Sequence, residues 1–308
     1  MVEYDVIVIG AGASGLTSAM YASRSGLKTC VIERGIYGGQ IQNTGDIENY
    51  SGFPRVSGAE LSEHMYKQAL EQGVEYMYGD VLSVEPTSRY HVVHLDGESI
   101  KTKAVIIATG VKHRVLGLEK EKELTGRGVS YCAICDGAFF KGGQVAVVGG
   151  GDSALEEAVY LSGIADKVTL IHRRSAFRGQ KVLQDKVFNN KKIEIRFNSE
   201  VSGVVGDDKV LGLFILDKNK ESDHVYFLPI DGMFVYIGLD PISEPFKSLG
   251  IVNENGNIET DNNMETLVKG VFAVGDVRDK NIRQIATAVG DGAIAGTSVR
   301  EYIDNLED

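Results

Sequence analysis

Tyr4-Asp5-Val6-Ile7-Val8-Ile9-Gly10-Ala11-Gly12-Ala13-Ser14-Gly15 is a β-branched run that turns at once into glycines. A run of this length and composition predicts a strand buried on both faces. Leu16 to Ser25 then reads as an alanine-rich helix, and a second apolar run, Thr29 to Ile32, ends in Glu33. Strand, Gly-x-Gly-x-x-Gly, helix, strand and terminal acid together form a dinucleotide-binding fingerprint. The first two glycines permit a tight turn and close approach to a pyrophosphate, and the third lets helix and strand pack closely. The helix N-terminus supplies amides and positive potential. Glu33 stands eighteen residues after Gly15, where a carboxylate can hydrogen-bond a ribose hydroxyl. Cys30, inside the second strand, has apolar neighbours and reads as a small buried hydrophobe.

The pattern returns once. Gln144 to Val148 is strand-like, Gly149-Gly150-Gly151-Asp152-Ser153-Ala154 follows, Leu155 to Gly163 is helical, and Lys167 to Ile171 is the next strand. Gly149 and Gly151 stand 139 residues after Gly10 and Gly12, and the same offset carries position 33 to His172. Glu33-Arg34 is thus matched by His172-Arg173-Arg174, with Arg178 close by. A carboxylate at that strand end favours a free ribose hydroxyl, whereas arginines offer charge-assisted bonds to a 2′-phosphate. An exposed basic turn is the plainer reading, and the position within a duplicated unit weighs against it.

Between the two fingerprints lies Cys132-Ala133-Ile134-Cys135-Asp136, which holds two of the three cysteines. The spacing suits a redox-active disulfide, a structural pair or half of a zinc site, and by itself does not choose among them. Zinc needs two further ligands, and the chain has one other cysteine and 6 scattered histidines. The glycine-rich stretch 35–58 reads as a long loop, either a surface excursion or a functional segment. In the second case Gly38-Gly39 lets backbone approach a flat ligand, with Gln40 and Asn49 as polar contacts. A helix is expected from Gly58 to Gly73, then strands over Val81–Val84, Tyr90–Leu95 and Ser99–Thr102. Lys103 to Gly110 is a further, separate buried strand. Ile193–Phe197, Val210–Leu216, Val225–Leu228 and Val235–Ile237 are strand-like, and Gly238-Leu-Asp-Pro241 marks a boundary. Gly270 to Asp276 is a buried strand closing on Gly275-Asp276. Arg283-Gln284-Ile285-Ala286 then opens a helix that runs through Ala295. An acid at such a strand end can bind a ribityl hydroxyl, and a helix N-terminus can offset negative charge on a reduced flavin.

Composition bounds the remaining choices. The 308 residues predict about two domains. A formal net charge of −11 disfavours nucleic acid, because no basic stripe exists to neutralise phosphates. No apolar run approaches the ~20 residues of a membrane span. Three cysteines make no disulfide framework, and the acidic opening 1–5 leads straight into a strand without a signal-peptide pattern. Both features predict a cytoplasmic protein.

Taken together, these motifs resemble the low-molecular-weight, bacterial-type thioredoxin reductases, over essentially the full length of the chain. The resemblance rests on Gly10 to Gly15, Gly38-Gly39-Gln40, Ala108-Thr109-Gly110, Cys132 to Asp136, Gly149 to Ala154, His172-Arg173-Arg174 and Gly275-Asp276. It is specific because the dithiol precedes the second fingerprint. In the larger glutathione-reductase-like flavoenzymes the redox cysteines follow the first.

The resemblance implies an α/β fold of two Rossmann-like nucleotide-binding domains, the second inserted into the first. Residues 1–111 and 240–308 would bind FAD, and 112–239 would bind NADPH and carry the dithiol. Gly10, Gly12, Ser14 and Gly15 would face the FAD pyrophosphate, and Glu33 with Arg34 the adenosine ribose. Gln40, Asn49, Asp276 and Arg283-Gln284-Ile285 would meet the flavin or its ribityl chain, with Gly39, Thr109, Gly110 and Gly275 beside them. Gly149, Gly151, Asp152, Ser153, Ala154, His172, Arg173, Arg174 and Arg178 would hold NADPH. NADPH would pass hydride to FAD, which would reduce the Cys132–Cys135 disulfide, with Cys135 toward the flavin, Cys132 toward thioredoxin and Asp136 moving the proton. A homodimer and a rotation between the domains are implied as well. The chain departs from the family at Ala133-Ile134, where threonine usually precedes the second cysteine, so a change of redox potential or rate is expected. The alternatives are a same-fold reductase with a ferredoxin, glutaredoxin or peroxiredoxin partner, and a non-enzymatic flavin redox sensor.

Overall fold

The computed structural model describes residues 3–44, 46–87, 89–218 and 224–307, with the backbone alone for Asn43, Asp46, Cys135 and Glu307. The chain divides into two compact units. Met1–Lys112 with Asp240–Asp308 form the first, and His113–Leu239 form the second.

The first unit is built on a 7-stranded sheet. Tyr4–Ile9 pairs in parallel with Thr29–Glu33 on one side and Ser99–Ile107 on the other, and Thr29–Glu33 pairs in parallel with Glu75–Tyr78. Val6, Ile7 and Val8 are completely buried, as a β-branched run covered on both faces should be. Ser99–Ile107 is one continuous strand, where the sequence predicts two segments. Its first half alternates buried and half-exposed residues and pairs antiparallel with His91–Leu95. Its second half is wholly buried and pairs in parallel with Val271–Ala273. The change of pattern within one strand is what suggested a break.

The last helix also exceeds expectation. It runs over Ile285–Glu307, well past Ala295. Gly290, Gly292 and Gly296 lower its intrinsic helicity, and tertiary contact compensates. A Cβ at Gly292 would lie 2.5 Å from the Ser14 carbonyl oxygen, and one at Gly296 2.5 Å from that of Ser18. The helix thus lies directly on Ala13–Arg24, with Val299 and Ile303 in the core.

The second unit has a 5-stranded parallel sheet in the order Val129–Ser130, Gly232–Tyr236, Gln144–Gly149, Lys167–Ile171, Ile193–Arg196. Helices Asp152–Ser162 and Lys181–Phe188 pack against its core residues. A 3-stranded antiparallel sheet, Ser199–Gly206, Val210–Asp217 and His224–Pro229, covers a second cluster around Ile171, Met233 and Val235. The strand of residues 199–206 and the helix of 181–188 are not among the elements that the sequence predicts.

His91 is buried in the first unit at 1% exposure, and neither ring nitrogen has a hydrogen-bond partner. Burial lowers its pKa to about 4. The unfolded chain therefore binds one more proton than the folded chain between about 4 and the ordinary 6.5. Stability is unaffected above that window and falls as pH drops through it, by on the order of 3 kcal/mol in total. Urea unfolding from pH 7 to 4.5 should show this slope in the wild type and a shallower one in His91→Phe. Identical slopes would exclude His91 as the source.

Candidate active site

In the first unit the fingerprint is closed on itself at two glycines and open at a third. Gly10 has φ +106°, and a Cβ there would press on the Ala108 carbonyl. A Cβ at Gly15 would collide with the Gly10 carbonyl, whereas one at Gly12 would meet nothing within 4 Å. The open position lies at the start of helix Ala13–Arg24, whose first amides have no side-chain cap. Glu33 does not simply project from its strand end. Its Oε2 accepts the Ala11 amide and its Oε1 the Gly35 amide, both at 2.8 Å. The carboxylate thereby ties the strand end to the fingerprint turn. Arg34 is exposed, 4.0 Å from Asp80.

Gly38, Gly39 and Gly275 gather around the same turn. Gly38 donates its amide to the Ala11 carbonyl at 2.7 Å and bridges Gly12, and a Cβ on Gly39 would stand 3.3 Å from the Gly12 Cα. Gly275 abuts Ser14, and its amide donates to Asp291 Oδ2 at 3.0 Å. Gln40 Nε2 donates to the Val111 carbonyl (3.0 Å), Thr109 Oγ1 to the Ile242 carbonyl (2.6 Å), and Asn49 Nδ2 to Gln284 Oε1 (3.2 Å). Gly110 has φ +66° and open space at its Cβ position. Arg283 is exposed and Ile285 half-buried at the entry to the last helix.

Asp276 Oδ1 is buried without a hydrogen-bond partner. Burial pushes its carboxyl up, and Lys280 and Arg283 pull it back down. Lys280 Nζ stands 3.8 Å from Asp276 Oδ1 and 3.0 Å from Asp291 Oδ2, while Arg278 holds Asp291 Oδ1 at 3.0 Å. Lys280, Arg278 and Asp291 were not singled out in the sequence. Charged residues beside a Gly-Asp turn carry no spacing signal, and only folding brings Asp291, in the second turn of the helix, to the Gly275 amide.

In the second unit the closed and open positions repeat. A Cβ at Gly149 would collide with the Tyr236 carbonyl, one at Gly150 with the His172 ring, and one at Gly151 with nothing. Helix Asp152–Ser162 likewise begins without a side-chain cap. Ala154 is buried and Ser153 exposed. His172 is 5% exposed; its Nε2 lies 3.1 Å from the Ala176 carbonyl oxygen, and burial holds its pKa down. It supports the Gly150 turn from beneath. Arg173, Arg174 and Arg178 are exposed. Further along the fingerprint helix, Glu157 has its pKa raised to about 7 by burial and by Glu156.

The Cys-x-x-Cys segment follows strand Val129–Ser130. Cys132 is disulfide-bonded, and Ala133–Asp136 form a single helical turn. The side chain of Cys135 lies outside the described residues. Ser130 is buried; its Oγ accepts the Cys132 amide (3.1 Å) and lies within donating distance of Asp136 Oδ2 (2.7 Å) and the Cys132 carbonyl (3.2 Å). The Tyr236 hydroxyl accepts the Ala133 amide at 2.8 Å, and the Tyr131 hydroxyl donates to Glu121 Oε1 at 2.7 Å. Glu121 Oε2 also accepts the Gly117 amide at 2.7 Å. The first helical residue is thus fixed by Tyr236, and the cysteine amide and the acid are both fixed by Ser130. Cys30 is free and buried, and burial pushes its thiol up to about 11, which leaves it unreactive. Among the described residues no group of His, Cys, Asp and Glu is arranged to hold a metal ion.

Comparison with known proteins adds to this geometry. A family model described as pyridine nucleotide-disulphide oxidoreductase matches residues 4–292. The chain is 50% identical over 305 residues to a thioredoxin reductase of Bacillus subtilis (strain 168), covering 99% of this chain and 96% of that one. Among solved structures, Lactococcus lactis thioredoxin reductase (FR conformation) is 43% identical with a TM-score of 0.95, covering 98% of this chain and 100% of that one. Thioredoxin reductase of T. acidophilum is 34% identical with a TM-score of 0.91, covering 98% and 99%.

The buried charges under the Gly275-Asp276 turn make a direct test possible. Removing one member of a buried ion cluster leaves its partner uncompensated, so Lys280→Met should lower the unfolding free energy by about 3 kcal/mol. The readout is a lower urea midpoint at unchanged slope, with Lys280→Arg recovering part of the loss. Equal midpoints for wild type and Lys280→Met would show that the cluster contributes nothing.

Proposed function

Because the chain belongs to the pyridine nucleotide-disulphide oxidoreductases, and within them to the thioredoxin reductases, we propose that it reduces the disulfide of thioredoxin with electrons from NADPH. The observation that carries this reading is the Cys132 segment itself. A disulfide-bonded cysteine opens a one-turn helix, and the acid that closes the turn is tied back to the cysteine amide through Ser130.

The residues of the first unit fit FAD. Gly12 leaves its backbone open to a pyrophosphate, and the uncapped helix Ala13–Arg24 presents amides to it. Asp276 Oδ1 is a buried acceptor awaiting a donor such as a ribityl hydroxyl. The residues of the second unit fit NADPH by the same logic, with Gly151 open and three exposed arginines beyond the strand end. Bound FAD supplies a two-electron relay between a nicotinamide and a disulfide.

What the chain itself does can be set out step by step. In the reduced dithiol, the Cys132 thiolate attacks one sulfur of the thioredoxin disulfide, forming a mixed disulfide and releasing the other sulfur as a thiolate. The Cys135 thiolate then attacks Cys132 Sγ, which frees dithiol thioredoxin and re-forms the Cys132–Cys135 disulfide. When the Cys132–Cys135 disulfide is reduced, Asp136, held in place by Ser130, would give a proton to the nascent thiol and take it back as the thiolate forms. Across one cycle, NADPH, a proton and one disulfide become NADP and two thiols. One dithiol serves both cofactor and bulky partner, and we assign the alternation to a rotation of the second unit about the chain crossings at Lys112–His113 and Leu239–Asp240. The reading includes a homodimer in the cytoplasm. Its net charge of −11 argues against nucleic acid, and no described helix is long and apolar enough to cross a membrane.

Steady-state NADPH oxidation with thioredoxin tests the proposal. Cys135→Ser should still oxidise NADPH in a single turnover while thioredoxin turnover falls by about 1,000-fold or more, as expected when a covalent step is removed. Substantial thioredoxin turnover by that variant would overturn the mechanism. Turnover with a ferredoxin or glutaredoxin but not thioredoxin would reassign the partner.

A further inference from the structure

The loop that carries the three arginines is fastened at both ends, at its downstream end to the second fingerprint. Upstream, the Asn198 amide donates to the Arg174 carbonyl at 3.1 Å. Downstream, the amides of Arg178 and Gly179 both donate to the Gly150 carbonyl, at 2.8 and 3.1 Å. One residue on, Gln180 grips Asp152 with two donors. Its backbone amide reaches Oδ1 at 2.6 Å and its side-chain Nε2 reaches Oδ2 at 3.0 Å. Gly179 sits so close that a Cβ there would be 2.6 Å from Leu155 Cδ1 and 3.0 Å from Asp152 Oδ1. Among the described residues no ion pair holds Arg173, Arg174 or Arg178, and all three are exposed.

An acid in the first turn of a phosphate-binding helix is electrostatically costly when left facing the ligand, because the ligand brings negative charge to the same place. Here both oxygens of Asp152 are taken by Gln180. The carboxylate is directed sideways, and its bonds act on the arginine loop.

We propose that the Asp152–Gln180 pair is a specificity latch. It fixes the loop of residues 173–179 against the Gly149–Gly151 turn so that the arginines meet the phosphate monoester that distinguishes NADPH from NADH. The proposal rests on the reading of those arginines as ligands of the 2′-phosphate. Gln180 acts through the loop and is a positioning residue. Loosening the loop weakens contacts to the extra phosphate and leaves contacts to the shared part of the coenzyme in place.

Gln180 has φ −58°, close to the value a proline ring imposes. Gln180→Pro therefore removes both donors without demanding a new backbone conformation, and Gln180→Ala removes only the side-chain donor. In the holoenzyme with thioredoxin, kcat/KM for NADPH should fall about tenfold in Gln180→Pro and about threefold in Gln180→Ala, the scale of one or two charge-assisted bonds. The value for NADH should stay within about twofold, because uniform binding is untouched. Calorimetry should show adenosine 2′,5′-bisphosphate binding weakened to the same degree and ADP binding unchanged. Parallel losses for both coenzymes, or no change for either, would overturn the latch; if Gln180→Pro does not fold, Gln180→Ala decides on the same criteria. Arg174→Ala separates the two layers of the argument. If it preserves the NADPH/NADH ratio, the phosphate reading falls and the latch with it. If it collapses the ratio while both Gln180 variants preserve theirs, the latch alone is wrong.

Discussion

No β-carbon fits at Gly10, Gly15 or Gly149, and both units are organised around that exclusion. At each site the missing atom would fall on a backbone carbonyl, that of Ala108, Gly10 or Tyr236. Strand, turn and helix are consequently packed backbone to backbone, which brings the first amides of each fingerprint helix to the sheet edge. The glycines at positions 12 and 151 are of the opposite kind, with nothing within 4 Å of where a Cβ would stand. Close packing on one side and open space on the other make a turn that holds its shape and leaves a face for phosphate oxygens.

The segment of residues 132–136 rests on a smaller set of constraints. Ser130 has one hydroxyl proton and two acceptors within reach, the Asp136 carboxylate and the Cys132 carbonyl. Tyr236, from the neighbouring strand, fixes the Ala133 amide, and Glu121 anchors Tyr131 while collecting amides of residues 116–118. These supports give the one-turn helix a defined position despite its length.

Much of the frame is legible in the sequence because it obeys short-range rules. Tyr4 to Ile9 can only be a doubly covered strand, Gly10 to Gly15 can only be a turn into a helix, and the 139-residue offset repeats both. The cysteine pair acquires meaning from its place between the two fingerprints. What escapes is whatever depends on distant residues meeting. Ser199–Gly206 lacks clean alternation because its register with Val210–Asp217 shifts between Val201 and Gly203, and Lys181–Phe188 is too short to show a stripe. Glu33 is legible as an acid at a strand end, yet its bonds to Ala11 and Gly35 appear only when the turn closes beside it. Asp291, Lys280 and Gln180 belong to no motif. Each matters through a partner many residues away or through a loop conformation that spacing does not encode.

The account stands on a transfer of electrons from NADPH into one particular disulfide. The most direct measurement is differential alkylation and mass mapping of the cysteines before and after anaerobic addition of NADPH, without thioredoxin. The account predicts that Cys132 and Cys135 pass together from protected to alkylated, that Cys30 reacts only after denaturation, and that added thioredoxin disulfide restores protection. NADPH consumption that leaves Cys132 and Cys135 protected would contradict it.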